Sequence, residues 1–431
     1  MLLIFGALNL GGVETFFIRL SKQRFREGKN TKMVLLSSRD RSDKSLIAEA
    51  AKYAELYFYE DLTIINNLLV KKAPFHVALL LPLKKEKISQ ILSAVSHIHV
   101  STAFCGYFAE RILSIYGVDC TLSIGLYHST EFCWGEKGTL PYFEGKNREF
   151  FYKKLNDGGL VFFNESCVQI YEKYAGVSFE LVNLFPLGVV ELNDDKQYGY
   201  HPCPSEKKIK LVSVGRLVAF KSYNMWMIDV VLKLKKHGID VVYYVFGEGS
   251  LMDEMKSKIE NLSLEENVIL AGCLDYTDFS RVVSSFDVFI GSGTAIIESS
   301  SLGVPSVVGI EGNNQPYSYG FFSEIDGFSY NEDNLFPKRS VFEILLNFME
   351  LSDEEKKELS CAHKVKSMLF SMDSCSVNFD ELKKNVGETV LSPQSFFYFR
   401  FLYSMSFLFF SLKQRMMGTT LSDLVRVCPR D

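Results

Sequence analysis

The chain has 431 residues, 47% of them hydrophobic and 23% charged, with a formal net charge of −5. That length exceeds one ordinary core, so two domains are expected, and the acidic balance argues against general nucleic-acid binding. Nine cysteines, an odd number with no Cys-x-x-Cys pair, argue against a disulfide or zinc scaffold and fit a reducing compartment.

Taken in order, Leu2–Phe5 is a predicted strand; the start lacks the basic segment of a signal peptide. Gly11-Gly12 and Glu14 then open an amphipathic helix to about Arg26. A glycine pair at that point is either turn chemistry or a seat for an anion at a helix N-terminus. Lys32–Leu36 is the next strand, and strands alternate with helices to about Gly188, the pattern of a parallel α/β sheet. Ser96–Val100 is a buried strand ending near His99. Thr121–Tyr127 is another, followed by His128, Ser129, Thr130 and Glu131. A histidine where a parallel strand ends is placed for chemistry; a satisfied structural imidazole is the alternative, more so for His99. Ser129, Thr130 and Glu131 are candidates for placing a hydroxyl. Val161–Phe163 and Leu181–Phe185 are the last strands of this half, and the polar stretch Asn193–Glu206 reads as a linker.

The second half begins with the strand Ile209–Val214 and the loop Gly215–Lys221. Arg216 and Lys221 straddle that turn and either clamp a diphosphate or are two unrelated solvated charges. Strands Asp240–Phe246 and Val268–Leu270 follow, with Gly247, Gly249 and Gly272 just beyond them. Asp287–Ile290 is a buried strand, Gly291-Ser292-Gly293 a turn, and Thr294 the expected cap of a helix that Gly303 ends before a strand at Ser306–Ile310. The first amides of that helix, Gly293 to Ala295, lack intrahelical partners and suit a phosphate. Glu298, one turn in, suits a sugar diol, and Glu311–Asn314 lie past the next strand. There is no Asp-x-Asp triad for a metal, so Arg216, Lys221 and helix N-termini are expected to supply the positive field. Near the end, Phe396–Leu412 is aromatic with one charge, Arg400, and Lys413 and Arg415 follow. It reads as a helix packed on the protein, an interfacial helix on a bilayer, or a short span.

These motifs resemble the retaining GT-B glycosyltransferases, family 4-like or group 1, of bacterial polysaccharide synthesis. The resemblance is specific at Gly215–Lys221, which matches a G-R-x-x-x-x-K element, and at Gly291–Pro305, which matches an E-x7-E segment. It implies an α/β GT-B fold of two doubly wound Rossmann-like domains facing across a cleft. The expected domains are 1–190 and 208–385, joined by a linker at 191–207, with a tail at 386–431. It also implies transfer of a sugar from a nucleotide diphosphate sugar to a hydroxyl of a glycan or lipid-linked acceptor, without a cofactor or metal. Arg216 and Lys221 would then meet the leaving diphosphate, Glu298 the ribose and His128 the donor sugar. Gly11, Gly12, Gly215, Gly247, Gly272, Gly291, Ser292, Gly293, Thr294 and Ala295 would line the donor, with Glu14 and His99 towards the acceptor. The family's first glutamate corresponds to Ile290, a departure. Nucleic-acid partners are not implied; the expected place is the cytoplasm, with peripheral contact at the inner membrane face. A nucleotide-sugar epimerase or hydrolase on the same fold, and a catalytically weak scaffold subunit that Ile290 would suit, are the other readings.

Overall fold

A computed structural model describes residues 1–9, 11–65, 75–116, 120–128, 131–135, 140–155, 157–191, 199–200, 208–385, 396–418 and 421. Ser129, Thr130, nearly all of the expected linker and the first ten residues of the expected tail lie outside the described residues. The chain forms two compact units, Met1–Gly188 with Met372–Asp431, and Val189–Ser371.

In the first unit seven strands form one sheet: β1 (Leu2–Phe5), β2 (Lys32–Leu35), β3 (Glu55–Phe58), β4 (His97–Val100), β5 (Thr121–Leu126), β6 (Leu160–Phe162) and β7 (Asn183–Leu184). The spatial order is β3-β2-β1-β4-β5-β6-β7 with every pairing parallel. β1 is apolar at all four positions because both faces of an inner parallel strand are covered. Leu2 and Ile4 enter one core cluster, Leu3 and Phe5 the other.

β4 and β5 break the apolar rule on one face. Thr121 Oγ1 meets His97 Nδ1 at 2.7 Å, and His97 Nε2 meets Ser123 Oγ at 2.9 Å. Ser123 Oγ also meets His99 Nδ1 at 2.8 Å, and His99 Nε2 meets the Tyr127 hydroxyl at 2.7 Å. The five groups satisfy one another, which is what keeps such a row tolerable inside a core.

In the second unit, β8 (Ile209–Val214), β9 (Val241–Phe246), β10 (Val268–Gly272), β11 (Val288–Gly291) and β12 (Ser306–Val308) form a parallel sheet in the order β10-β9-β8-β11-β12. Alternate residues feed two cores. Leu211, Tyr243 and Ile290 pack with the helices Tyr223–Lys236 and Val341–Glu350, while Val212 and Phe289 pack with Ile296 and Ile297 of the helix Thr294–Ser301. Helices cover both faces, and the sheet is doubly wound. The chain runs outward one way from β8 to β9 and β10, then the other way to β11 and β12. The β8/β11 boundary is therefore the topological switch point, where ligands settle beyond the carboxyl ends of such strands.

A short antiparallel pair, β13 (Tyr317–Ser318) and β14 (Arg339–Ser340), completes the strands of this unit among the described residues. The unit ends earlier than the expected boundary at 385. The helix Met372–Asn385 belongs to the first unit, held there by Arg24 to Asp380 at 2.9 Å, Gln23 to Asp373 at 3.0 Å and the Phe379 ring against Phe16 and His99.

Candidate functional site

The loop after β8 is tied down on three sides. The Gly215 amide donates to the Phe246 carbonyl and the Leu217 amide to the Glu248 carbonyl, each at 2.9 Å. The Gly312 amide donates to the Phe220 carbonyl at 2.6 Å. Ser222 Oγ and Trp226 Nε1 both donate to the Asn313 carbonyl, at 2.5 and 3.1 Å. Leu217 is buried, an anchor between the two cations. Arg216 is exposed, and Lys221 curls back so that its Nζ lies 3.2 Å from where a Cβ on Gly215 would sit. Among the described residues neither side chain has an ion-pair or hydrogen-bond partner. Two cations without a partner among the described residues, on a pinned loop at a switch point, have the chemistry to take an anion from outside.

Gly247 and Gly249, beyond β9, serve this loop by closeness. A Cβ on Gly247 would run into the Gly215 carbonyl, and one on Gly249 into the Leu217 carbonyl. These glycines set the backbone against which Arg216 stands. Gly272 ends β10 and its carbonyl accepts from the Gly247 amide at 2.8 Å.

The turn after β11 is its neighbour across the switch point. Ser213 Oγ, which accepts from the Tyr243 hydroxyl at 2.6 Å, donates to the Ile290 carbonyl at 2.6 Å, tying three strands together beneath the edge. Gly291 is the last residue of β11, Ser292 is buried, and Gly293 caps the helix Thr294–Ser301 at φ +66°, a left-handed conformation that suits glycine. Thr294 was the expected cap, but it is the first helical residue, and no side chain caps the helix. The Gly293 amide, expected to be open, donates to Asn331 Oδ1 at 3.0 Å, and the Gly293 carbonyl accepts from the Tyr330 hydroxyl at 3.0 Å. With the Gly293 amide taken, the first-turn amides from Thr294 onward, including Ala295, are the ones without an intrahelical partner. Ile296, Ile297, Ser299 and Ser300 are buried, so Thr294, Ala295 and Glu298 share the less covered face.

Ile290 is fully buried in β11, in register with Val307, and contributes to the core only. An acid that the structure does bring to the turn is Glu311, whose Oε1 accepts from Ser292 Oγ at 2.7 Å. Asn331 and Tyr330 are site residues that no sequence signal marks, since they lie in an irregular segment without periodicity. In the sequence Glu311 stands out only as one of three polar side chains in the stretch Glu311–Asn314 after β12.

In the first unit, His128 is exposed just past β5, and its carbonyl accepts from the Tyr171 hydroxyl at 3.2 Å. Glu131, three residues on, has its carboxyl pushed up to about 8, by burial first and then by the neighbouring charge of Glu144. Glu144 is itself raised to about 7 by burial, against the opposing pull of Arg148 at 2.8 Å. His99 has no surface for an acceptor: it is fully buried, both ring nitrogens are engaged, and burial holds its pKa well below the usual value. The expectation of an acceptor-side role for it is corrected to a packing role. Gly11 caps the helix Gly12–Arg26, and the Glu14 carboxylate folds back over it, occupying the space of a Gly11 side chain. The anion seat expected at Gly11-Gly12 therefore already holds an acid of the chain's own.

Residues 203–316, which span the loop after β8 and the turn after β11, match the family described as glycosyl transferases group 1. No curated protein matches the chain. Among solved structures, the chain is similar to TarM, with a TM-score of 0.62 at 12% identity, covering 89% of this chain and 98% of that one. It is similar to a glycosyltransferase from Rickettsia africae, with a TM-score of 0.61 at 15% identity over 89% of this chain and 97% of that one. The pneumococcal O-GlcNAc transferase GtfA, solved with UDP and GlcNAc, aligns with a TM-score of 0.54 at 11% identity over 90% and 99%. The fold is GT-B, and the matched segment together with the fold supports glycosyl transfer.

Proposed function

We propose that the chain is a retaining glycosyltransferase that moves a hexosyl group from a nucleotide diphosphate sugar to a hydroxyl of a glycan or lipid-linked acceptor, in the cytoplasm, for surface polysaccharide. The observation that carries this reading is the pair Arg216 and Lys221, unpartnered among the described residues on a pinned loop, next to a helix whose first turn no side chain caps. UDP and GlcNAc in the GtfA structure suit the same donor class.

In the proposed reaction the bond between the anomeric carbon and the diphosphate oxygen breaks, and the electron pair leaves with the diphosphate. Arg216 and Lys221 offset that charge, and the amides of Thr294 and Ala295 add to the field. The acceptor oxygen bonds to the same face of the sugar, and its proton passes to the departing phosphate. Glu298 accepts from the ribose hydroxyls, while Gly215, Gly291, Ser292 and Gly293 form the floor under the donor. Gly247 and Gly272 hold that floor in place. His128 positions the donor sugar, and Glu14 lies towards the acceptor. The chain's own cations carry the charge, so transfer is expected to survive chelation of divalent ions.

The test is purified protein against a panel of nucleotide sugars, with and without a lipid-linked acceptor, following nucleotide release and the anomeric configuration of the product by NMR. Acceptor-dependent release with retained configuration supports the reading. Release or isomerisation of the donor without acceptor would replace it with a hydrolase or epimerase, and absence of donor binding would leave a scaffold.

A further inference from the structure

The helix Phe396–Met416 is rich in aromatic and aliphatic side chains on both its inner and outer faces, with no Asp or Glu in its length. One face is fixed on the first unit. Tyr403 is fully buried and its hydroxyl donates to Asn147 Oδ1 at 2.6 Å; Ser404 Oγ donates to the His76 carbonyl at 3.1 Å. Phe407 and Phe410 pack against Phe143 with tilted rings, 4.8 and 5.3 Å between centroids. These contacts set the rotation of the helix about its axis.

That rotation turns the opposite face outward. Phe397 is 66% exposed, Tyr398 71%, Phe409 65% and Met416 89%, with Phe401 and Leu412 between them also exposed. At about 3.6 residues per turn these positions fall along one stripe of roughly 30 Å. An exposed apolar patch of this extent marks an interaction site.

The charges choose the occupant. Arg400, Lys413 and Arg415 are the charged groups of this helix, in a chain whose net charge is −5. Arg415 falls on the stripe itself, and Lys413 at its border, both exposed. Pairing with a second copy through this face would set cation against cation, since the helix offers no acid in return. Aromatic rings beside cations suit the headgroup layer of an anionic bilayer instead. No described helix is long and apolar enough to cross a membrane, so contact would be in the plane. We propose that the outer face of the helix Phe396–Met416 docks on an anionic membrane surface, rings in the interfacial layer and Lys413 and Arg415 on lipid phosphates. The inference stands apart from the transferase reading and survives its failure.

The experiment is flotation of the full chain with vesicles of phosphatidylcholine alone, and with roughly one quarter phosphatidylglycerol. The wild type is expected to bind the anionic vesicles at least about tenfold more tightly than the neutral ones. The variant Phe397→Ser/Phe401→Ser/Phe409→Ser removes exposed rings only, so its melting temperature and nucleoside diphosphate binding stay unchanged while vesicle affinity falls by about tenfold or more. The variant Lys413→Glu/Arg415→Glu abolishes the preference for anionic vesicles. Absence of wild-type binding, or equal binding by the triple-serine variant, overturns the proposal. So does a wild-type dimer in sedimentation that the triple-serine variant dissolves, since a second copy then covers the face.

Discussion

Replacing Arg216 by alanine separates a ligand-binding cation from a structural one. The side chain is exposed and, among the described residues, has no partner, so its loss orphans nothing in the protein. Folding stability should change by less than about 0.5 kcal/mol, as for an ordinary surface substitution. Against a diphosphate the same guanidinium makes charge-assisted hydrogen bonds, worth about 1.5–3 kcal/mol in net terms. The dissociation constant for a nucleoside diphosphate should therefore rise roughly ten- to a hundredfold. Isothermal calorimetry with a panel of nucleoside diphosphates gives the affinity, and thermal melting without ligand gives the stability. Arg216→Ala/Lys221→Ala should lose less than the sum of the two single losses, because both cations serve one anion. Unchanged affinity in Arg216→Ala would refute the reasoning, and so would a drop in stability, since the residue would then belong to the fold.

Gly247→Ala drives a Cβ into the Gly215 carbonyl; the strained backbone should cost about 1–3 kcal/mol in chemical denaturation and weaken diphosphate binding with it. His99→Phe leaves the Tyr127 hydroxyl without its imidazole partner, while Ser123 Oγ keeps His97; stability should fall by about 1–3 kcal/mol while diphosphate affinity holds. The reverse pattern would restore His99 to the site. Glu131 and Glu144, raised to about 8 and about 7, take up protons on folding, so their contribution is whole below the ordinary carboxylate range and is lost as pH rises through those values. Glu131→Gln, which cannot ionise, should gain melting temperature relative to the wild type as pH goes from about 5 to about 8.5. A difference that stays flat with pH would show that Glu131 ionises normally.

Much of the sheet architecture is legible because buried parallel strands write themselves as short apolar runs. Leu2–Phe5 and Ile209–Val214 coincide with β1 and β8. Others differ by a residue or two at their ends, where hydrogen bonding rather than hydropathy decides the limit. The cation pair and the glycine turn are legible because their spacing is local. The fate of Met372–Asn385 is not, since its amphipathic pattern gives a helix without saying which sheet receives it; Asp380 meets Arg24 across more than three hundred residues of chain. Asn331 and Tyr330 reach the Gly293 turn from a loop, and a long-range hydrogen bond leaves no trace in neighbouring residues. His99 misleads for the opposite reason. A histidine at a strand end looks poised for chemistry until Ser123 and Tyr127, on another strand and its exit, are seen to occupy both nitrogens.

The most direct measurement is a crystal structure with a nucleoside diphosphate bound. The expected density places the diphosphate oxygens within hydrogen-bond reach of the Arg216 guanidinium, Lys221 Nζ and the amides of Thr294 and Ala295, with the ribose at Glu298. A diphosphate seated away from the β8 and β11 loops, with Arg216 and Lys221 still in solvent, would contradict the assignment of this edge as the donor site.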